Sequence, residues 1–114
     1  MRAINANVLI CLIARDDPGQ VAIAENFIKN GAWVSTVALA EAVWVLGSVY
    51  KLSPAALVKA IELLFEIPNL ALEDADAVGD ALTLFRANLS LGFSDCLIIQ
   101  PAHRTGQVPG AERL

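Results

Sequence analysis

Histidine is almost missing from this chain and cysteine is scarce: one His and two Cys in 114 residues. With His103 alone, and no serine or cysteine in a recognisable nucleophile motif, a nucleophile–histidine triad is excluded. His103 reads as a surface residue at a helix end. The glycines are isolated, so no glycine-rich loop is available to cradle phosphates. Cys11 and Cys96 both lie in apolar runs and far apart, which reads as two free, buried thiols in a reducing compartment rather than a disulfide or metal pair. Charge is also thin, at 18% of residues with a net of -4. That excludes nucleic-acid binding through a broad basic field and leaves only a local basic patch open.

What fills the chain instead is apolar: 56% of residues are hydrophobic. A single domain of this length, residues 1–114, buries one core but not that much apolar surface, so an apolar partner surface is expected. The segment that might cross a membrane, residues 32–50, carries Ser35, Thr36, Ser48 and a central Glu41, which lipid disfavours. The start, Arg2 followed by an apolar run broken by Asn5 and Asn7, lacks the form of a signal peptide. The expectation is a cytoplasmic protein with no membrane partner.

The first stretch organises the rest. Ile4 closes a short apolar run, Asn5-Ala6-Asn7 interrupts it, and Val8-Leu9-Ile10-Cys11-Leu12-Ile13 resumes it. This predicts strand, polar turn, helix, with Asn7 capping the helix and Asn5 at the carboxyl end of the strand, where ligands bind in open α/β sheets. Asp16-Asp17-Pro18 opens a second helix, lined by Val21, Ala24, Phe27 and Ile28 and closed by Asn30-Gly31. Residues 32–37 read as a strand, and a helix apolar on both faces follows from Ala38 to Tyr50. Ser53-Pro54 starts a helix whose inner face is Leu57, Ile61, Leu64 and Phe65. Leu70–Leu72 is a short strand, and Asp74 or Asp76 caps a helix lined by Val78, Leu82 and Phe85. Ser94 or Asp95 opens a last helix that Pro101 should kink or end, with no recognisable strand after Gly106. Short strands alternating with helices imply crossovers around a small parallel sheet.

Glu41 is the sharpest chemical clue, an acid in Val37-Ala38-Leu39-Ala40-Glu41-Ala42-Val43-Trp44 with no charged neighbour within a helical turn. Either it turns outward or is protonated, or it is a functional carboxylate with a cation to hold. Asp95 is either an ordinary cap or a ligand near the sheet's binding edge, and Asn5 either a turn residue or a ligand. Oxygen ligands without His or Cys suit a hard ion, Mg²⁺ or Mn²⁺. Trp33 and Trp44 read as core or interface anchors. Asp74, Asp76 and Asp80 read as cap and solvent-facing residues.

Four stretches in order resemble the PIN domain of VapC-type toxins from bacterial toxin–antitoxin pairs: Ile4-Asn5-Ala6-Asn7-Val8-Leu9; Arg15-Asp16-Asp17-Pro18; Trp33-Val34-Ser35 with Leu39-Ala40-Glu41-Ala42-Val43-Trp44-Val45-Leu46; and Phe93-Ser94-Asp95-Cys96-Leu97-Ile98. The resemblance implies a three-layer α/β/α PIN-like fold with a small parallel sheet. It also implies Mg²⁺- or Mn²⁺-dependent endoribonuclease activity through metal-activated water, a cognate antitoxin and a homodimer. Glu41 matches the family's glutamate and Asp95 its later aspartate. Asn5 stands where the family has its first aspartate, in a motif usually reading Asp-Thr-Asn, of which only Asn7 is unchanged here. The family's closing strand and Thr-Phe-Asp type segment have no match in Val108-Pro109-Gly110-Ala111-Glu112-Arg113-Leu114, where Glu112 is a poor substitute for the last acid. Asparagine keeps an oxygen donor but loses a full charge, and a net loss of about 1.4 kcal/mol lowers metal occupancy about tenfold. The expectation is therefore an attenuated or inactive nuclease, with a PIN-fold binding module that no longer cuts RNA as the alternative.

Overall fold

The computed structural model describes residues 2–97. Three strands, β1 (Arg2–Ile4), β2 (Ala32–Val34) and β3 (Leu70–Leu72), form a parallel sheet in sequence order. Parallel neighbours need long crossovers. Helices α1 (Ala6–Ala14) and α2 (Pro18–Ile28) join β1 to β2, while α3 (Thr36–Ser48) and α4 (Pro54–Glu66) join β2 to β3. Helix α5 (Ala75–Ala87) leaves β3, and residues 93–97 are again helical. The α/β alternation expected from the sequence is what forms.

Each strand is three residues long, so the ladder itself supplies few hydrogen bonds and the helices supply most of the core. Leu9, Leu39, Leu46, Ile61, Leu64 and Val78 are fully enclosed around Ile4 and Val34, the inward residues of β1 and β2. Burying side chains of this size contributes roughly 1.5–3 kcal/mol each. No polar or charged side chain among the described residues is buried.

The element starts are written in the caps. Asp17 accepts from Gly19 N and Gln20 N with Pro18 in first position, Ser53 accepts from Ala56 N with Pro54 behind it, and Asp74, not Asp76, accepts from Ala77 N. Two boundaries shift from expectation. The first cap is Asn5, whose Oδ1 accepts from Val8 N at 3.1 Å; Asn7 is the second residue of α1, exposed. The β2 strand ends at Val34 rather than at residue 37, because Ser35 Oγ accepts from Ala38 N at 3.0 Å and starts α3 at Thr36. Helix α3 ends at Ser48 rather than Tyr50, and Lys51 follows in the left-handed region at φ 61°. Gly31, at φ 101°, makes the turn into β2, a conformation that costs glycine nothing.

Of α4's expected inner face, Leu57, Ile61 and Leu64 are buried, whereas Phe65 is 45% exposed; Val58 and Ala60 fill the core instead. Both cysteines are free, Cys96 buried and Cys11 half-buried rather than enclosed. No helix among the described residues is long and apolar enough to cross a membrane. The expectations for Pro101, His103, Gly106, Glu112 and a missing closing strand lie outside the described residues.

Candidate active site

The sheet's register places three residues side by side. Ile4 pairs with Val34, and Val34 with Leu72, so the next residue of each strand emerges at one carboxyl edge: Asn5, Ser35 and Glu73. Three helices, α1, α3 and α5, begin there, and their leading amides make the edge rich in donors. Asn5 and Ser35 each satisfy one amide of their own helix. Glu73 works across the sheet instead: its Oε1 accepts from Thr36 N, the first residue of α3, at 2.8 Å. Its own N–H is held by Val34 O at 2.9 Å. The acid at the end of β3 thereby fixes where α3 starts.

Glu41 lies five residues into α3, roughly 8 Å along the axis from its start at 1.5 Å per residue. It is exposed, so the premise of a buried carboxylate in an apolar helix is corrected: α3 buries Leu39, Ala42, Val43 and Leu46 and turns Glu41 to the other side. Val37 and Trp44, at spacings of four and three residues, share that outer side and are 68% and 66% exposed. Glu41 thus stands within an apolar stripe, without a hydrogen bond or ion pair to any described residue. Helix α3 packs on α1, the helix that Asn5 caps, so the elements bearing Asn5 and Glu41 are neighbours.

Asp95 is exposed in the first turn of the helical residues 93–97, which begin at Phe93 rather than at Ser94 or Asp95. Phe93 anchors this turn edge-on to Phe85 of α5, with centroids 5.9 Å apart, and Cys96 and Leu97 are buried beside it. Burial, and next the charge of Asp95, push the Cys96 thiol above its ordinary value. Asp95 itself makes no ion pair with a described residue. The elements carrying Asn5 and Glu41 are packed together, and Phe93, Cys96 and Leu97 of the turn that bears Asp95 belong to the same core cluster.

Glu73 is not among the residues expected at the site. Beside the cap candidates Asp74 and Asp76 it has no local signature, yet it follows the Leu70–Leu72 strand as Asn5 follows β1. Comparing the three strand ends position by position would have found it.

Among the described residues, no three Asp, Glu, His or Cys side chains gather closely enough to hold a metal ion. With an amide at position 5, the expected set offers two carboxylates and one neutral oxygen. The chemistry of these donors still suits a hard divalent cation. Asn5 Oδ1 spends one lone pair on Val8 N and retains the other, while Glu41 and Asp95 form no ion pair with a described residue.

The sequence model of the PIN domain family matches residues 3–108. The chain belongs to the PIN domain family. PIN domains are generally divalent-metal-dependent nucleases, and the three-stranded parallel sheet with its helical crossovers agrees with their α/β fold. Membership therefore gives a nuclease-type function for which RNA is an admissible substrate. No curated protein matches the chain at a significant level.

Proposed function

We propose that this PIN domain is an Mg²⁺- or Mn²⁺-dependent endoribonuclease toxin of a toxin–antitoxin pair, attenuated by the asparagine at position 5. The observation that carries the reading is the family match over residues 3–108, with Asn5 at the carboxyl end of β1 and Glu41 on α3, which packs against the α1 helix that Asn5 caps. Asn5, Glu41 and Asp95 are the proposed ligands. When bound, the divalent ion supplies an acidified water for attack on a phosphodiester and neutralises developing charge on phosphate oxygens.

The chain's own residues supply the rest. The positive ends of α1, α3 and α5 lie at the edge where an RNA phosphate would bind and favour its negative charge, while Glu73 already holds the first amide of α3. The Asn5 amide keeps the helix cap but brings no charge to the ion, which weakens both occupancy and activation of water. Glu73 holds the first turn of α3 and so sets the rotation of the helix that presents Glu41. Cys96 takes no part: it is buried, and that burial pushes its thiol above its ordinary value.

The test is Asn5→Asp. Aspartate caps a helix as well as asparagine does, so the fold is kept while one charge is restored. Mg²⁺-dependent RNA cleavage should rise at least tenfold, and Glu41→Gln in that background should abolish the gain. No gain from Asn5→Asp favours the second reading, a PIN-fold module that pairs with a second copy or with an antitoxin without cutting RNA. What favours that reading is the exposed apolar surface: Val37, Trp44 and Val49 on and after α3, and Leu63 and Phe65 on α4.

A further inference from the structure

A pocket of about 540 Å³ opens at the amino end of the strands, opposite to the edge that carries Asn5. Arg2 begins β1, and Asn26 and Phe27 from the last turn of α2, with Lys29 and Asn30 just beyond it, surround it, with Ile23 as an outer wall. Ile23, Asn26 and Phe27 recur at helical spacing, so one side of α2 lines the pocket. Its acid, Glu25, points elsewhere and pairs with Arg15 at 3.3 Å. None of the described lining residues is acidic.

We propose that this pocket binds the phosphate group of a nucleotide. Arg2 and Lys29 are two of only eight cationic residues in a chain of net charge -4, and neither forms an ion pair with a described residue. Arg2 is ordered without being neutralised: its guanidinium lies over the Phe27 ring, 4.8 Å from the centroid. A carboxylate partner would have spent that charge; an aromatic face leaves its edge donors available to an anion. The loop is fixed as well. Asn69 Nδ2 donates to Lys29 O at 3.1 Å, Gly31 N donates to Ile28 O at 2.9 Å, and Arg2 N donates to Gly31 O at 3.4 Å. The side-chain amides of Asn26 and Asn30 add neutral donors, and Ile23, 71% exposed, offers an apolar surface to a sugar or base. The volume lies within the range of small-ligand sites and exceeds what a bare phosphate needs. The same chemistry would take either a free mononucleotide or one phosphate of an RNA strand.

The experiment is an amide NMR titration of the full chain in EDTA, so that it is indifferent to whether the protein cuts RNA. The ligands are adenosine 5′-monophosphate, adenosine and a single-stranded RNA hexamer. The monophosphate or the hexamer should shift the amides of Asn26, Lys29, Asn30 and Gly31 saturably, and adenosine at equal concentration should not. Combined Arg2→Gln and Lys29→Gln should weaken binding at least tenfold. Asn26→Asp with Asn30→Asp, which places carboxylates in the pocket without touching β1, should do the same. Tighter binding of the hexamer, with a log–log salt slope that drops by about 1.4 in the double glutamine variant, identifies an RNA strand as the source; binding of the monophosphate alone identifies a free nucleotide. Absence of shifts at these amides with both phosphate ligands, or parent-like affinity in both double variants, overturns the proposal.

Discussion

At the scale of single residues, Cys96 and Asn5 show how little of a side chain's behaviour its letter fixes. Burial, reinforced by the adjacent charge of Asp95, raises the Cys96 thiol in the folded chain. The sign follows from proton binding. Below the unfolded thiol's value, near 8.5, both states keep the proton and the contribution is complete. As pH rises above that value the unfolded chain ionises first, and stability falls until the folded thiol also titrates. Thermal melts should therefore show a fall between pH 8 and 10 that is smaller in Cys96→Ala, although that variant melts lower at neutral pH because it leaves a small cavity. An equal alkaline fall in both proteins would mean that other groups govern it. Asn5 was legible as a strand-end residue, because an apolar run stops there. Its capping role was not. Asn5 and Asn7 are both good caps, and only the turn geometry after Ile4 decides that Asn5 closes the helix and Asn7 sits within it.

At the scale of elements, the chain's punctuation was largely readable. Proline in first position with an oxygen-bearing residue before it marked α2 and α4 without ambiguity, since no other use of Asp-Pro or Ser-Pro ahead of an apolar periodicity fits as well. The β2 to α3 junction was harder. Trp33-Val34-Ser35-Thr36-Val37 carries strand-forming residues past the point where the strand stops, and two side-chain acceptors override them. Ser35 satisfies Ala38 N, and Glu73, 38 residues further on, satisfies Thr36 N. Such a long-range partner has no local signature. Ser35→Ala and Glu73→Ala should each cost about 1 kcal/mol, lowering the melting temperature by about 4 °C. Glu73→Gln, which keeps an acceptor oxygen, should cost less. If Glu73→Ala melts with the parent, the carboxylate does not hold α3.

At the scale of the molecule, the excess of apolar residues read from composition is real surface. On α3 one side is sealed in the core while the other presents Val37 and Trp44 to solvent, with Glu41 between them. A partner that covers Trp44 would cover Glu41 too. Trp44→Glu should make the chain more monodisperse and shift it toward the monomer in size-exclusion chromatography with light scattering, with its circular dichroism unchanged. An elution identical to the parent's would remove this stripe from self-association. The candidate residues were legible as separate letters, whereas their mutual placement was not, because the positions of residues 41 and 95 relative to Asn5 depend on how whole helices pack.

The brevity of the strands has a last effect. Three residues at about 3.3 Å each put the two ends of the sheet only about 10 Å apart along the backbone. That is close to the Debye length at physiological ionic strength, about 8 Å. A cation taken up beyond Asn5 and a phosphate taken up beside Arg2 would attract one another through the protein, so loading either end would tighten the other, and added salt would uncouple them.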